Sequence, residues 1–287
     1  MRWKGERQSK NVEDRRGMSI SRGAKVGGIG GLGLVALVVV GLFLGIDPGV
    51  MLQVGDSLQS PPASVQHSVG PGPDDDDSRF VAVVLAETED VWNDVFSGAG
   101  RRYQEPKLVL FSGAVESACG MAGSAVGPFY CPADQKVYLD LVFFDELHNR
   151  FGASGDFARA YVIAHEIGHH VQMQLGILQQ VSQIQSRVGT PEKNKLSVML
   201  ELQADCLAGM WAHQAHKRRD ILESGDLEEG LNAASAVGDD RIQKSSRGYV
   251  VPDGFTHGSS AQRVRWFRRG FEEGTLQACN TFEADRL

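Results

Sequence analysis

The sequence predicts an α+β fold, in which a small β-sheet precedes a helical C-terminal part. Two short runs rich in β-branched and aromatic residues, 107–112 and 136–144, are bounded by Gly, Pro and Asp, which is typical of strands. Stretches with apolar residues at helical spacing lie before and after them, the first over residues 79–97. Strands grouped together and followed by a run of helices are typical of the α+β class.

The composition is that of an ordinary globular protein. The chain has 287 residues, of which 42% are hydrophobic and 23% are charged. One main domain with appendages fits this length better than several domains. The net charge of −7 argues against nucleic acid as a partner. The run over residues 263–269 is basic and aromatic, but its helical spacing favours one face of an amphipathic helix.

The N-terminal part is predicted to be a membrane anchor. Residues 1–25 carry eight Lys and Arg residues against three acidic ones, and residues 26–46 carry no charge. The apolar segment is long enough to cross the hydrocarbon core as a helix of about 20 residues. Its basic flank places the N-terminus in the cytoplasm and the rest of the chain outside. A cleaved signal peptide is the alternative, but the residues that follow form a poor cleavage site.

A flexible linker is expected over residues 47–77, which are rich in Pro, Gly, Ser and Asp and have no apolar periodicity. The aspartate run at its end is a weak candidate for a calcium site. It is more simply a solvated run of charge that supports the N-terminus of the next helix. The remaining residues, 78–287, are long enough to bury a substantial core as one domain.

The four cysteines all lie in residues 78–287. They are Cys119, Cys131, Cys206 and Cys279. An even number in a domain that faces outward favours disulfides, for which three connectivities are possible. The short loop favours a bond between Cys119 and Cys131, which leaves Cys206 with Cys279. Cysteines as zinc ligands are disfavoured because the chain contains no Cys-x-x-Cys pair.

A His-Glu-x-x-His motif lies in the helix expected over residues 157–176. Residues i and i+4 of a helix differ by about 40°, so His165 and His169 lie on one face, with Glu166 beside them. Neutral imidazole suits Zn²⁺, and catalytic zinc takes three protein ligands and a water molecule. We expect Glu166 to accept the proton of that water. His170 lies about 100° from His169 and is expected to be structural.

The third ligand is predicted in a second long helix that Thr190 caps. The longer zinc motif would require Gly at 172 and His at 175, where the chain has Gln172 and Leu175. In the second helix, Glu201 and Asp205 stand four residues apart in an apolar stretch, and two buried carboxylates without partners would be costly. We expect Glu201 to bind zinc and Asp205 to accept a hydrogen bond from a ligating histidine. An exposed acidic ridge is the alternative.

Two further helices are expected after the second long one. Asp226 is predicted to cap the first of them, and the stretch "SSAQRVRWFRRGFEE" is predicted to form the second. The helix that carries the zinc motif is expected to be capped by Ser154 or Asp156.

The combination of "HEIGHH" with "ELQADC" resembles the gluzincin arrangement, and the wider sequence from "SAVGPFYCPADQ" to "SSAQRVRWFRRGF" closely resembles a bacterial family of neutral zinc metallopeptidases. The resemblance covers nearly all of residues 78–287, and an N-terminal anchor is also typical of the family. It implies a zincin-like fold and a zinc-dependent peptidase with one zinc ion. It maps the ligands onto His165, His169 and Glu201 and the catalytic carboxylate onto Glu166, and it does not identify a substrate.

Peptide hydrolysis at such a site needs a donor for the oxyanion besides zinc. His257, in a turn rich in Gly and Ser, is the first candidate and Tyr249 the second; for both, a structural hydrogen bond is an equally simple interpretation. Residues 136–144 are predicted either to pair with extended substrate backbone or to be a buried core strand.

Two other functions also fit the sequence. One is a membrane-anchored scaffold that binds zinc for structure, which would need a fourth protein ligand for which His170 is badly placed. The other is a metal amidase that acts on cell-wall peptides by nearly the same chemistry. The expected partners are a peptide or protein substrate and the membrane.

Overall fold

The computed structural model describes residues 1–17 and 75–287. Within these residues it contains eight α-helices and six β-strands, which makes it a mostly helical α+β protein. The helices are α1 (Asp76–Gly98), α2 (Val142–Asn149), α3 (Asp156–Gln174), α4 (Ile177–Gln185), α5 (Thr190–Arg219), α6 (Asp226–Ala236), α7 (Asp239–Arg247) and α8 (Ser260–Glu273). The strands are β1 (Val12–Asp14), β2 (Lys107–Phe111), β3 (Ala114–Ser117), β4 (Gly120–Gly123), β5 (Phe129–Cys131) and β6 (Lys136–Asp140).

The main sheet has the strand order β1-β2-β6-β5. The first three strands run parallel, whereas β5 is antiparallel to β6. Strands β3 and β4 form a separate antiparallel pair. Because β6 has a partner on both sides, the prediction that it pairs with substrate backbone is wrong, and the alternative prediction of a core strand is the correct one. Among the described strands, β5 lies at the edge of the sheet next to β6.

Strand β6 is also shorter than predicted, because it ends at Asp140 and α2 begins at Val142. The carboxylate of Asp140 accepts hydrogen bonds from the backbone N–H of Val142, at 3.1 Å, and of Gly113, at 2.9 Å. It therefore stabilises the turn that converts an apolar, strand-like sequence into the first turn of a helix.

The aspartate run supports the start of α1, as expected. Asp75 is the N-cap and forms a reciprocal capping box with Ser78, whose N–H donates to the Asp75 carboxylate at 2.8 Å. Asp76 and Asp77 occupy the first turn, where the helix dipole favours negative charge.

The predicted caps of three other helices are displaced, and in each case a glycine is the N-cap. Gly155, Gly189 and Gly225 precede α3, α5 and α6. Thr190 and Asp226 are instead the first helical residues. The carboxylate of Asp226 is used elsewhere, because it accepts from the N-terminal ammonium at 3.0 Å and from the N–H of Glu223 at 2.8 Å.

Residues 1–17 belong to the same compact unit as the main domain. The ring of Trp3 meets that of Phe80 edge-on at 5.4 Å, and its Nε1 donates to Asp156 at 2.8 Å. Strand β1 adds these residues to the main sheet by pairing with β2. The prediction of a separate tail over residues 1–25 is therefore wrong for residues 1–17, which contribute to the core and to the sheet.

The membrane helix predicted over residues 26–46, and the linker up to residue 74, lie outside the described residues. In the part of the chain that the structure describes, no helix combines the length and the apolar character needed to cross a membrane. A single crossing between residues 17 and 75 would separate two segments that fold together as one unit.

Close contacts at glycines bring α3, α5 and α8 together. A Cβ at Gly168 of α3 would lie 3.1 Å from the backbone of Ala204 in α5. A Cβ at Gly270 of α8 would lie 1.9 Å from the carbonyl oxygen of Cys206, also in α5. The approach at Gly270 leaves no room for a side chain, and the one at Gly168 leaves little. The two contacts lie on either side of Asp205 in α5.

Substituting Trp3 with alanine is expected to lower the free energy of unfolding of the full chain by about 3 kcal/mol, because the side chain is only 9% exposed. Urea unfolding followed by circular dichroism measures this loss. Lys10→Ala, at an exposed position of the same segment, is the control and should change the free energy by less than about 0.5 kcal/mol. Equal stabilities for the two variants would contradict the packing of residues 1–17 on the domain.

Candidate metal centre

The side chains of His165 and His169 on α3 meet that of Glu201 on α5, where His165 is buried and the other two are half-buried. One ligand atom from each residue lies within 4.8 Å of the other two. Nε2 of His165 is 3.2 Å from Oε2 of Glu201, and Nε2 of His169 is 3.5 Å from Oε1. Ligand atoms of a tetrahedral zinc site, with bonds of about 2.0–2.1 Å, lie roughly 3.3 Å apart. The spacing and the donor types therefore fit a zinc ion.

Two local features bring the three ligands together. The i,i+4 spacing of α3 places both imidazoles on one face, and Gly168 between them lets α5 approach that face at Ala204. Within the described residues, this is the one group of His, Cys, Asp or Glu side chains that could hold a metal ion.

Asp205 lies one turn beyond Glu201 and is completely buried. Its carboxylate accepts a hydrogen bond from Nδ1 of His165 at 2.9 Å and one from the hydroxyl of Tyr161 at 2.5 Å. Arg263 of α8 donates to it through Nε at 2.8 Å and through Nη2 at 2.9 Å. The expected contact between Asp205 and one of the two candidate histidine ligands is present, and it directs Nε2 of His165 towards Glu201.

Arg263 was not recognised as part of the site from the sequence, where it was assigned to the face of an amphipathic helix. It is 4% exposed and pairs with a carboxylate 58 residues earlier in the chain. The signal that pointed to it was indirect. A buried carboxylate that also accepts from histidine needs a compensating cation, and Arg supplies several donors in a fixed geometry.

The charges in the metal-free site are strongly coupled. Burial by itself would lower the pKa of His165, but the carboxylates of Asp205 and Glu201 outweigh it and raise that pKa to about 10. Burial would raise the pKa of Glu201, but the neighbouring imidazoles of His169, His165 and His257 hold it well below its usual range. Without a metal ion, the imidazole of His165 therefore carries the proton and the carboxylates of Glu201 and Asp205 stay charged.

The other ring nitrogen of His169 contacts an uncharged partner. Nδ1 lies 2.9 Å from Oε1 of Gln172, one turn further along α3. The sequence had marked Gln172 only as a departure from the longer zinc motif, and the structure places it behind a predicted ligand. Glu166 lies next to His165 on the same helix and is 9% exposed.

His170 is not part of the metal group. The hydroxyl of Tyr130 donates to its Nδ1 at 3.0 Å, and its Nε2 donates to the backbone carbonyl of Gln104 at 2.6 Å. Burial lowers the pKa of His170 to about 4, so the ring is neutral at pH 7. Its contacts join α3 to β5, in keeping with the structural role expected for it.

His257 lies in the turn between α7 and α8 and is held by Asp239. One oxygen of that carboxylate accepts the backbone N–H groups of Thr256, His257 and Gly258 at 2.8, 2.7 and 3.0 Å. The other oxygen lies 3.2 Å from Nδ1 of His257. Partial desolvation lowers the pKa of His257, whose side chain is 49% exposed, but Asp239 and the charge of Glu201 outweigh this and raise that pKa. Tyr249, the second candidate, is 63% exposed in the same connection.

Both expected disulfides form in the structure. Cys119 bonds to Cys131, and Cys206 bonds to Cys279. The second bond attaches the C-terminal segment to α5 at the residue that follows Asp205.

Residues 1–282 match the family described as "Putative neutral zinc metallopeptidase". The chain belongs to this zinc metallopeptidase family. It is 49% identical to "Uncharacterized protein YpfJ" of Escherichia coli (strain K12), over 98% of this chain and 99% of that protein. It is 41% identical to "Uncharacterized protein Rv2575" of Mycobacterium tuberculosis (strain ATCC 25618 / H37Rv), over 86% of each chain. No solved structure matches the chain significantly.

The family match agrees with two features of the structure. It includes residues 1–17, which fold with the main domain. The family description also names zinc, the metal that suits the nitrogen and oxygen donors of His165, His169 and Glu201.

Binding of zinc to the metal-free protein at pH 7 is expected to release about one proton per ion, because His165 is protonated well above pH 7 and zinc binds only neutral imidazole. The apparent affinity for zinc should rise as the pH is raised towards about 10, because a smaller fraction of His165 is then protonated. Isothermal titration in two buffers with different ionisation enthalpies measures the released protons. Identical heats in both buffers, with an affinity independent of pH, would contradict this expectation.

Proposed function

We propose that the protein is a zinc-dependent metallopeptidase that hydrolyses peptide bonds with a zinc-activated water and Glu166 as general base. The observation that carries this proposal is the convergence of His165, His169 and Glu201 on one point beside Glu166. Three protein ligands leave a fourth position of a tetrahedral ion for water or substrate, as in catalytic zinc sites. Membership of a zinc metallopeptidase family supports the same reaction class.

Each part of the proposed site has its own role in peptide hydrolysis. Bound zinc supplies polarisation of the scissile carbonyl and a lowered pKa for the attacking water. Glu166 accepts the proton of that water and delivers it to the leaving amine nitrogen. His257 donates a hydrogen bond to the oxyanion, and Asp239 holds its ring for this task. A raised pKa supports His257 as a donor.

A purely structural zinc site is the less favoured function. Closed structural sites take four protein ligands, whereas the metal group found among the described residues has three. His170 does not supply a fourth, because both of its ring nitrogens are already used by Tyr130 and Gln104.

We assign a zincin-like arrangement to the fold, with α3 as the active-site helix beside the sheet. An extended substrate would then pair with β5 instead of β6. The edge strand β5 contacts α3, and the bond between Tyr130 and His170 joins the two elements. An exposed strand edge offers free backbone groups for pairing with a peptide.

We also propose that the domain acts outside the cytoplasm. Its two disulfides support this location, because stable disulfides are rare in the reducing cytosol. Residues 1–17 share that compartment because they fold with the domain. A single membrane crossing by residues 26–46 is not compatible with this common compartment, so the anchor is not part of the proposal.

Glu166→Gln is expected to keep zinc and to lower the rate of peptide hydrolysis by roughly 10²- to 10⁴-fold, the usual contribution of general acid and base catalysis. Zinc content and cleavage of a peptide library by the full chain measure the two effects. Glu192→Gln, at an exposed position of α5, is the control and should leave both unchanged. If the wild type holds zinc yet cleaves no more than Glu166→Gln does, the structural function replaces the peptidase. Cleavage confined to cell-wall amides would favour the amidase.

Replacing Glu201 with alanine is expected to remove zinc, because one of three ligands is lost, whereas His170→Ala should keep it. Metal analysis after dialysis of both purified variants compares them directly. Zinc retained by Glu201→Ala but lost from His170→Ala would overturn the ligand assignment.

Protein isolated from cells under conditions that trap thiols is expected to contain no free cysteine, because all four are paired. Alkylation of the denatured chain before and after reduction, followed by mass spectrometry, counts the thiols. Tags on the two termini should be digested from the same side of the membrane. Four free thiols, or tags accessible from opposite sides, would contradict the proposed location.

A further inference from the structure

We propose that Gln172 and Gln203 are positioning residues for His169, and that they form a directional chain of hydrogen bonds which keeps Nε2 of this histidine free of a proton. The inference rests on the proposed function only in taking His169 as a metal ligand. It assigns a role to two neutral side chains of α3 and α5.

The chain of contacts runs from His169 to the C-terminal segment. Nδ1 of His169 lies 2.9 Å from Oε1 of Gln172. Nε2 of Gln172 donates to the carbonyl of Leu200 at 2.7 Å and to Oε1 of Gln203 at 3.0 Å. Nε2 of Gln203 in turn donates to the carbonyl of Cys279 at 2.9 Å. Every link is within normal hydrogen-bonding distance.

Two backbone carbonyls fix the direction of the chain. The carbonyl of Cys279 can only accept, so Gln203 must turn its NH₂ group towards it and its oxygen towards Gln172. The carbonyl of Leu200 independently requires the NH₂ group of Gln172 on its side. The oxygen of Gln172 therefore faces His169, whose Nδ1 must carry the proton. The orientation of both amides follows from this pattern of partners.

Burial makes the direction costly to reverse. Gln172 is completely buried and Gln203 is 6% exposed. A flipped amide would place NH₂ against NH₂ and oxygen against a carbonyl, and an unsatisfied buried polar group costs on the order of 1–3 kcal/mol. The partner at one ring nitrogen sets the tautomer, and so determines which nitrogen can bind a metal.

The far end of the chain is also fixed. Cys279 forms a disulfide with Cys206, which lies one turn after Gln203 on α5. The acceptor for Gln203 is thus attached covalently to the helix that carries Gln203. The two ligating histidines are consequently oriented by different means, since His165 contacts the charged pair of Asp205 and Arg263.

Two substitutions of Gln172 separate positioning from packing. Gln172→Met keeps the length of the side chain but removes both donor and acceptor. Gln172→Glu keeps an acceptor oxygen for His169 and, buried as a neutral carboxylic acid, keeps one donor for the carbonyl of Leu200. A packing role survives both changes, because methionine and glutamate are close to glutamine in length and volume, whereas the proposed role is lost only with methionine. Gln203→Met removes the second link and leaves the first in place, which provides a milder variant should Gln172→Met not fold.

The first measurement uses the metal-free full chain and is independent of catalysis. Nitrogen-15 NMR of the histidine rings, at a pH where His169 is neutral, is expected to show the Nδ1–H tautomer in the wild type and in Gln172→Glu. Gln172→Met should lose this tautomer, and Gln203→Met should show a mixture. Gln214→Met is the matched control, because its amide donates to the carbonyl of Gly274 at 2.7 Å at the other end of α5.

The second measurement is the dissociation constant for zinc, obtained by competition with a chelator. Gln172→Met is expected to bind zinc about 10- to 100-fold more weakly, the usual effect of removing a partner of a ligand. Gln203→Met should be affected less, and Gln172→Glu and Gln214→Met should remain close to the wild type. Unchanged tautomer and affinity in Gln172→Met, or equal losses in Gln172→Met and Gln172→Glu, would overturn the inference. The expected pattern in a protein that cleaves no peptide would support the inference and overturn the proposed peptidase alone.

Discussion

The buried carboxylate of Asp205 is the interaction on which the rest of the site depends. It accepts hydrogen bonds from α3, through Tyr161 and His165, and from α8, through Arg263. An uncompensated charge at this depth would cost on the order of several kcal/mol, so α5 is stable in the interior only where both neighbours contribute donors. The glycine contacts at Gly168 and Gly270 allow the close approach that these bonds require.

The orientation of the two histidine rings in the metal group depends on the side chains behind them. One histidine is oriented by a carboxylate with a compensating arginine, and the other by a chain of neutral amides that ends at a disulfide. Such partners fix ring orientation and tautomer before a metal arrives, which reduces the reorganisation that binding requires. The coupling that raises the pKa of His165 also means that a metal ion at this group would compete with a proton for Nε2 of His165.

Short-range features were the most predictable from the sequence. The capping aspartates of α1, the placement of His165 and His169 on one helix face and the short Cys119 to Cys131 loop all depend on residues within one or two turns or one loop. The failures came where a distant contact competes with a local preference. Asp226 binds the N-terminal segment instead of capping α6, and β6 stops at Asp140 because that side chain stabilises a helical turn.

The sequence by itself determined the candidate metal ligands, because the i,i+4 spacing of two imidazoles and the placing of Glu201 and Asp205 one turn apart are properties of single helices. Only the tertiary structure decided what surrounds them. Arg263 reaches Asp205 from 58 residues away, and Trp3 reaches Asp156 from 153 residues away. Pairings of this kind depend on how close two backbones can pack and on which buried charges remain to be satisfied. No periodicity in the sequence encodes either quantity. The packing of residues 1–17 on the domain and the hydrogen bonds that link Gln172 to Cys279 are therefore visible only in the tertiary structure.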